Sequence, residues 1–178
     1  DKNHLLILGP SGCGKTTLLN LLSGLLKPDT GDILFKTKNF SKLKESEIDK
    51  IRSENFGFIF QKLHLIGHLN VRQNINLVRK NKSQSIDSIL APLGLLNKDR
   101  NLAKNLSFGE AQRVAIARGI ANNPKVIFAD EPTSSLDDSN TKNVMNLIFT
   151  QASRVGSTLI VCSHDHRIKK YFKKFLEL

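Results

Sequence analysis

Gly9-Pro10-Ser11-Gly12-Cys13-Gly14-Lys15-Thr16-Thr17 decides how this chain is read. An apolar run, Leu5-Leu6-Ile7-Leu8, precedes it, and Leu18, Leu21, Leu22 and Leu25 follow at helical spacing. The stretch is therefore strand, glycine-rich turn and helix, which is the context a phosphate-binding loop requires. Glycines let consecutive backbone N–H groups curl around an anion, and the helix that follows adds the positive end of its dipole. Lys15 supplies a point charge for the outer phosphates, and the Thr16 hydroxyl is suited to ligate magnesium. An ordinary turn needs a glycine or a proline, but not this whole spacing with Lys-Thr and both flanking elements.

Outward from the loop, apolar strands are expected at residues 5–8, 56–60, 126–129 and 158–162, with a short strand at 32–35 and a last one at 175–178. Helices are expected from the loop to Gly24 and over residues 40–54, 85–95, 110–121, 141–152 and 167–174, and the span 62–123 reads as helical and more polar throughout. Apolar strands alternating with helices mean a largely parallel sheet covered on both faces. In such sheets ligands sit at the carboxyl ends of strands. Gly9, Gln61, Asp130-Glu131 and His164 each follow a different expected strand, so they can converge on one edge.

Asp130 ends its apolar strand as a carboxylate able to hold magnesium directly or through water. Glu131 follows at once and is aimed differently, so it can orient and polarise a water attacking the γ-phosphate.

Composition sets bounds. The 178 residues suit one domain, and at 39% hydrophobic content no apolar run approaches the ~20 residues that span a bilayer. The expectation is a soluble chain whose partner provides any membrane span. Cys13 and Cys162 lack disulfide or metal spacing, which points to a reducing compartment. A formal charge of +11 invites a nucleic-acid or membrane reading, but the lysines are scattered, so no sequence-specific nucleic-acid binding is expected. The chain opens on Asp1 and its only methionine is Met145, so a trimmed chain is expected. His4, His64, His68 and His166 read as surface or packing residues.

Leu106-Ser107-Phe108-Gly109-Glu110, running into Ala111-Gln112-Arg113-Val114-Ala115-Ile116-Ala117-Arg118, resembles the signature motif of the ATP-binding cassette family, usually Leu-Ser-Gly-Gly followed by Gln or Glu. Alone, a serine before a helix is an ordinary cap. With the phosphate loop, an apolar strand ending Asp130-Glu131, and Ser163-His164-Asp165 after the next strand, the resemblance covers essentially the whole chain. It implies an α/β P-loop NTPase with a mostly parallel sheet core, about 1–61 and 122–178, plus a helical signature subdomain, about 62–121, within a single domain of 178 residues. The N-terminal β-subdomain strands of the family are expected to be lacking.

The resemblance also implies roles. The loop from Gly9 to Thr17 is similar to Walker A, and Val126-Ile127-Phe128-Ala129-Asp130 to Walker B. Lys15, Gln61, Glu131 and His164 take catalytic roles, with Gln61 the Q-loop glutamine and His164 the switch histidine. Thr16, Gln61 and Asp130 would hold magnesium, and Ser135-Leu136-Asp137 is similar to the D-loop. Two copies would pack head to tail, so that Ser107, Gly109 and Glu110 of one reach ATP on the other. Phe108 departs from the usual glycine, and Ala111 stands where glutamine is common.

Phe58-Ile59-Phe60-Gln61-Lys62-Leu63-His64-Leu65-Ile66 and Val71-Arg72-Gln73-Asn74-Ile75 resemble cassettes of the lipoprotein-releasing, macrolide-exporting and cell-division type. That implies an ATPase, ATP and Mg2+ as cofactors, an integral membrane subunit as partner, and a cytoplasmic, peripheral place on the inner face of a bacterial membrane. Two other classes stand beside it: a soluble cassette acting on DNA or ribosomes, whose usual insertions are absent, and a nucleotide-binding scaffold of low turnover. A GTPase is disfavoured because Asn81-Lys82-Ser83-Gln84 lacks the aspartate of the guanine-reading Asn-Lys-x-Asp.

Overall fold

The computed structural model describes residues 4–80, 85–134 and 136–178. Strand β1 (Leu5–Leu8) leads through the glycine loop into helix α1 (Lys15–Leu22). A two-strand hairpin, β2 (Leu34–Phe35) and β3 (Lys38–Asn39), precedes α2 (Glu45–Asn55) and β4 (Phe56–Ile59). Short helices α3 (Val71–Asn76) and α4 (Asp87–Leu90) come before the long α5 (Phe108–Ile120). The chain closes with β5 (Val126–Asp130), α6 (Asp138–Val155), β6 (Thr158–Ser163) and β7 (Lys174–Glu177).

Five strands form one parallel sheet in the order β4-β5-β6-β1-β7. Side chains alternate across a strand, so each apolar run feeds two cores. Leu6 and Leu8, Ile127 and Ala129, Leu159 and Val161 face one layer with Val114, Met145 and Ile148. Ile7, Phe128 and Cys162 face the other, with Leu19 and Ile48. Because all five strands run the same way, the residues after β1, β4, β5 and β6 emerge on one edge.

One close approach sets how α5 sits on the sheet. A Cβ built on Gly57 of β4 would lie 1.9 Å from the Gly119 carbonyl oxygen of α5 and 3.0 Å from Pro124 Cγ. Only glycine lets the helix backbone come this near the strand.

Several elements differ from the sequence expectation. The expected helix over 167–174 is a 3-10 turn at His166–Tyr171, and Lys174 already pairs with Leu5. Pairing with the open edge of β1 recruits residues whose helical spacing alone favoured a helix. The expected strand at 32–35 is paired only at Leu34 and Phe35, against Asn39 and Lys38. The helix over 40–54 is broken into a 3-10 turn at Phe40–Lys42 and α2, with Leu43 and Lys44 extended. Most altered is 62–107, where the described residues form short elements, whereas the helix expected over 110–121 is α5. The expected helix at 85–95 shrinks to α4, a 3-10 turn at Ala91–Leu93 entered by Pro92, and a left-handed Gly94. Asn81-Lys82-Ser83-Gln84, and Ser135 of the Ser135-Leu136-Asp137 loop, lie outside the described residues.

Candidate nucleotide site

The loop after β1 curls because Gly12 and Gly14 take φ of 84° and 100°, left-handed values that side chains resist. Gly14 is the N-cap of α1, so backbone N–H groups and the helix dipole both open toward the loop. The buried Lys15 folds back across it: Nζ donates to the carbonyls of Gly9 and Pro10, each at 2.8 Å, and lies 3.4 Å from Glu131 Oε1.

Thr16 Oγ1 donates to Asp130 Oδ2 at 2.9 Å, joining the loop to the end of β5. Burial raises the Asp130 carboxyl above its ordinary pKa; the Thr16 hydrogen bond opposes this, the Glu131 charge adds to it, and Lys15 opposes it. The other oxygen, Asp130 Oδ1, is buried with no hydrogen-bond partner among the described residues. A buried carboxylate oxygen of this kind, beside a threonine hydroxyl, fits a hard cation such as Mg2+. Among the described residues no group of three or more His, Cys, Asp or Glu could hold an ion unaided. Magnesium habitually takes one or two carboxylates and completes its shell with water and substrate phosphates.

Glu131 begins a turn with φ of 47°, uncommon for a side chain larger than glycine. Its N–H donates to the Cys162 carbonyl at 2.8 Å, which fixes the turn against β6. The carboxylate then accepts from Ser163 Oγ at 3.1 Å and from the His164 N–H at 3.1 Å, and His164 Nδ1 is 3.0 Å from Oε2. Left-handed backbone at this position turns the carboxylate away from Asp130 and toward β6 and Lys15.

Gln61 follows β4 and its Nε2 donates to Ser134 Oγ at 3.3 Å, while Ser134 Oγ donates to the Glu131 carbonyl at 3.0 Å. The glutamine thus leans on the turn after Glu131 through Ser134 and makes no hydrogen bond to Asp130. Ser107, Gly109 and Glu110 stand apart from the loop, at the start of α5. Ser107 caps the helix: its N–H donates to Glu110 Oε2 at 2.8 Å, and Glu110 N–H donates back to Ser107 Oγ at 3.3 Å. Those backbone and hydroxyl donors, with Lys98 at 3.1 Å from Oε1, lower the Glu110 carboxyl to about 2. Phe108 between them is 57% exposed. It borders a hollow of about 590 Å³ between α5 and α6, which Ile116, Leu136, Val144 and Leu147 help to line.

His4 and Cys162 have local tasks. His4 Nδ1 accepts from the Leu159 N–H at 3.0 Å, and its ring meets Phe149 edge-on at 5.1 Å. Burial, then the Asp130 charge, pushes the Cys162 thiol up to about 12, which leaves it a packing group.

Sequence reasoning missed three supporting groups. Ser163 holds the Glu131 carboxylate, Gln112 Nε2 donates to the Pro132 carbonyl at 2.8 Å, and Asp165 accepts from Thr133 Oγ1 at 3.2 Å. Their only sequence signal was position, Ser163 and Asp165 flanking His164 and Gln112 lying in the capped helix. A separate groove of about 950 Å³ runs between α2, β4 and α5, with Phe58, Phe60 and Val78 toward it and Arg52, Lys80 and Arg118 among its cations.

Comparison with known proteins identifies the family. The chain is similar to an ABC transporter ATP-binding protein of Methanocaldococcus jannaschii, 39% identical over 185 residues and spanning 100% of this chain and 82% of that protein. It is also 39% identical, over 179 residues, to the lipoprotein-releasing system ATP-binding protein LolD of Wigglesworthia glossinidia brevipalpis, covering 97% of this chain and 78% of that one. Among solved structures, the dimeric structure of MJ0796, a bacterial ABC transporter cassette, superposes with a TM-score of 0.87 at 32% identity, covering 100% of this chain and 82% of that one. A second dimeric MJ0796 structure, in a post-hydrolysis state bound to ADP and Pi, gives a TM-score of 0.85 at 31% identity, over 99% of this chain and 81% of that one. Residues 1–134 match the family model described as ABC transporter, and on these grounds the chain belongs to the ABC transporter family.

Proposed function

We propose that this chain is the ATP-hydrolysing subunit of an ABC-type membrane complex, acting as a head-to-tail pair of copies beneath an integral membrane subunit. The observation that carries the reading is Glu131, its carboxylate gripped by Ser163 and His164 and 3.4 Å from the loop lysine. That is the placement a group needs to polarise water beside a γ-phosphate.

Each residue then has a task. The loop amides between Gly9 and Thr17 and the Lys15 ammonium cradle the phosphates. Thr16 and Asp130 would hold magnesium, with Gln61 following β4 as the further group assigned to it, and the ion would supply positive charge to offset that developing on the transferring group. Glu131 accepts hydrogen bonding from the attacking water, and His164 sets the carboxylate's direction and faces the γ-phosphate. Nothing covalent is required of the chain, since positioning and electrostatics carry phosphoryl transfer.

Ser107, Gly109 and Glu110 serve the other copy's nucleotide. Their capped helix end is distant in sequence and fold from the loop of their own chain, and the dimeric MJ0796 cassettes support a second copy as the partner. The groove beside Gln61, with aromatic and basic residues, seats a cytoplasmic segment of the membrane subunit. With such a partner the chain would work at the inner membrane face; no helix of the described residues is long and apolar enough to cross a membrane.

Substituting Glu131→Gln tests the reading. ATP hydrolysis should fall by about 10²–10⁴-fold, the range for losing a positioned base, while ATP still binds and the ATP-bound pair persists in light scattering. Wild-type turnover in that variant would remove Glu131 from its role.

A further inference from the structure

We propose that Arg167 is a positioning residue, fastening the segment that carries His164 to the loop that leaves Glu131, so that both sides of the γ-phosphate site keep one geometry. The inference rests on the roles proposed above for Glu131 and His164.

Arg167 spreads its guanidinium over two segments. Nε donates to Asp165 Oδ1 and Nη2 to Asp165 Oδ2, both at 2.8 Å, a two-point pairing that fixes the plane of the group. Nη2 also donates to the Leu136 carbonyl at 3.0 Å, and Nη1 pairs with the Asp138 carboxylate in the first turn of α6. Asp165 adds its own tie: Oδ2 accepts from Thr133 Oγ1 at 3.2 Å, and Thr133 is fully buried. Its backbone N–H donates to Ser163 Oγ at 3.0 Å, the same hydroxyl that holds Glu131.

The loop from Glu131 to Asp138 is therefore tied to the 163–167 segment at four points: Glu131, Thr133, Leu136 and Asp138. Burial works to raise the Asp165 carboxyl, yet hydrogen bonds from the Arg167 side chain and backbone leave it below its ordinary pKa. An isolated exposed ion pair contributes little. Here one planar group reaches acceptors on two segments through three nitrogens held in a fixed fork, a geometry that the single ammonium of a lysine does not reproduce. Leu136 also borders the hollow beside Phe108, so the clasp reaches from the His164 segment toward the surface next to the signature turn.

Steady-state hydrolysis against ATP concentration, on the full chain, tests this. In R167A, kcat per folded molecule should fall at least about tenfold, because small displacements of positioning groups cost up to ~100-fold, while KM for ATP stays within about twofold. R167K should recover little. D165A should reproduce the loss, and R167A/D165A should be no worse than either, since the two act as a unit. If R167A does not fold, D165N carries the same comparison.

Wild-type kcat per folded molecule in R167A, full recovery in R167K, a rise in KM at unchanged kcat, or additive losses would each overturn the proposal. E131Q runs in the same assay: turnover there defeats the role of Glu131 itself, whereas a silent E131Q with a normal R167A defeats only Arg167.

Discussion

Gly57→Ala tests the seat of α5 on the sheet. The added Cβ would lie 1.9 Å from the Gly119 carbonyl oxygen, where ordinary contact begins at 3.4 Å. The helix and strand must therefore part by about 1.5 Å, the difference of those two distances, and the obstacle is backbone rather than a side chain that can swing aside. Gly119 has no slack either, because its own position is 2.9 Å from the Phe58 carbonyl oxygen when a Cβ is built there. Overpacking a core typically costs about 1–3 kcal/mol, and with backbone on both sides the upper end, about 3 kcal/mol, applies. At roughly 2–4 °C per kcal/mol for a chain of this size, the melting temperature should drop by about 6–12 °C.

A thermal melt followed by circular dichroism measures it. Gly94→Ala is the comparison: its Cβ meets open space but its φ is +64°, so only the left-handed penalty, on the order of 1 kcal/mol, is paid. If Gly57→Ala melts within about 3 °C of the parent, the strand–helix contact is not as close as described.

Two other predictions separate folding from function. At Gly109 a built Cβ meets only Arg113 Nη1 at 3.7 Å and the residue is helical, so Gly109→Ala should melt no lower than the parent. Loss of ATP-dependent pairing or hydrolysis in that stable variant would place the glycine's role in contact with the partner's nucleotide; unchanged activity would count against it. Glu110 gives a pH signature: its carboxyl is lowered from 4.5 to about 2, so its contribution is complete above about 4.5 and is lost as pH falls toward about 2. In urea melts, Glu110→Gln should flatten the pH dependence of stability across that window, and an unchanged slope refutes the capping-box account.

What the sequence carried and what it did not divides by range of interaction. The loop from Gly9 to Thr17 and the apolar strands were readable because their signals are local: φ-permissive glycines, an adjacent helix, uninterrupted Leu, Ile, Val and Phe. The strand ends placed Gln61, Asp130, Glu131 and His164 on one edge because parallel strands all point the same way. Lys174 could not be read correctly, since its helical spacing lost to pairing with Leu5 across the sheet. Nor could the break of 85–95, where Pro92 and Gly94 outweigh apolar periodicity. The hydrogen bonds of Ser163 and Arg167 connect residues about thirty positions apart, and no spacing rule encodes such a contact.

The Lys15 ammonium spans Gly9, Pro10 and Glu131, so the site carries its own counter-ion and the positive charge of the loop is quenched from within. On the role proposed for Glu131, an incoming triphosphate would compete with that internal carboxylate for the same cation, and phosphates taking Lys15 would free Glu131 to take water. Occupancy and readiness would then be exchanged one for the other.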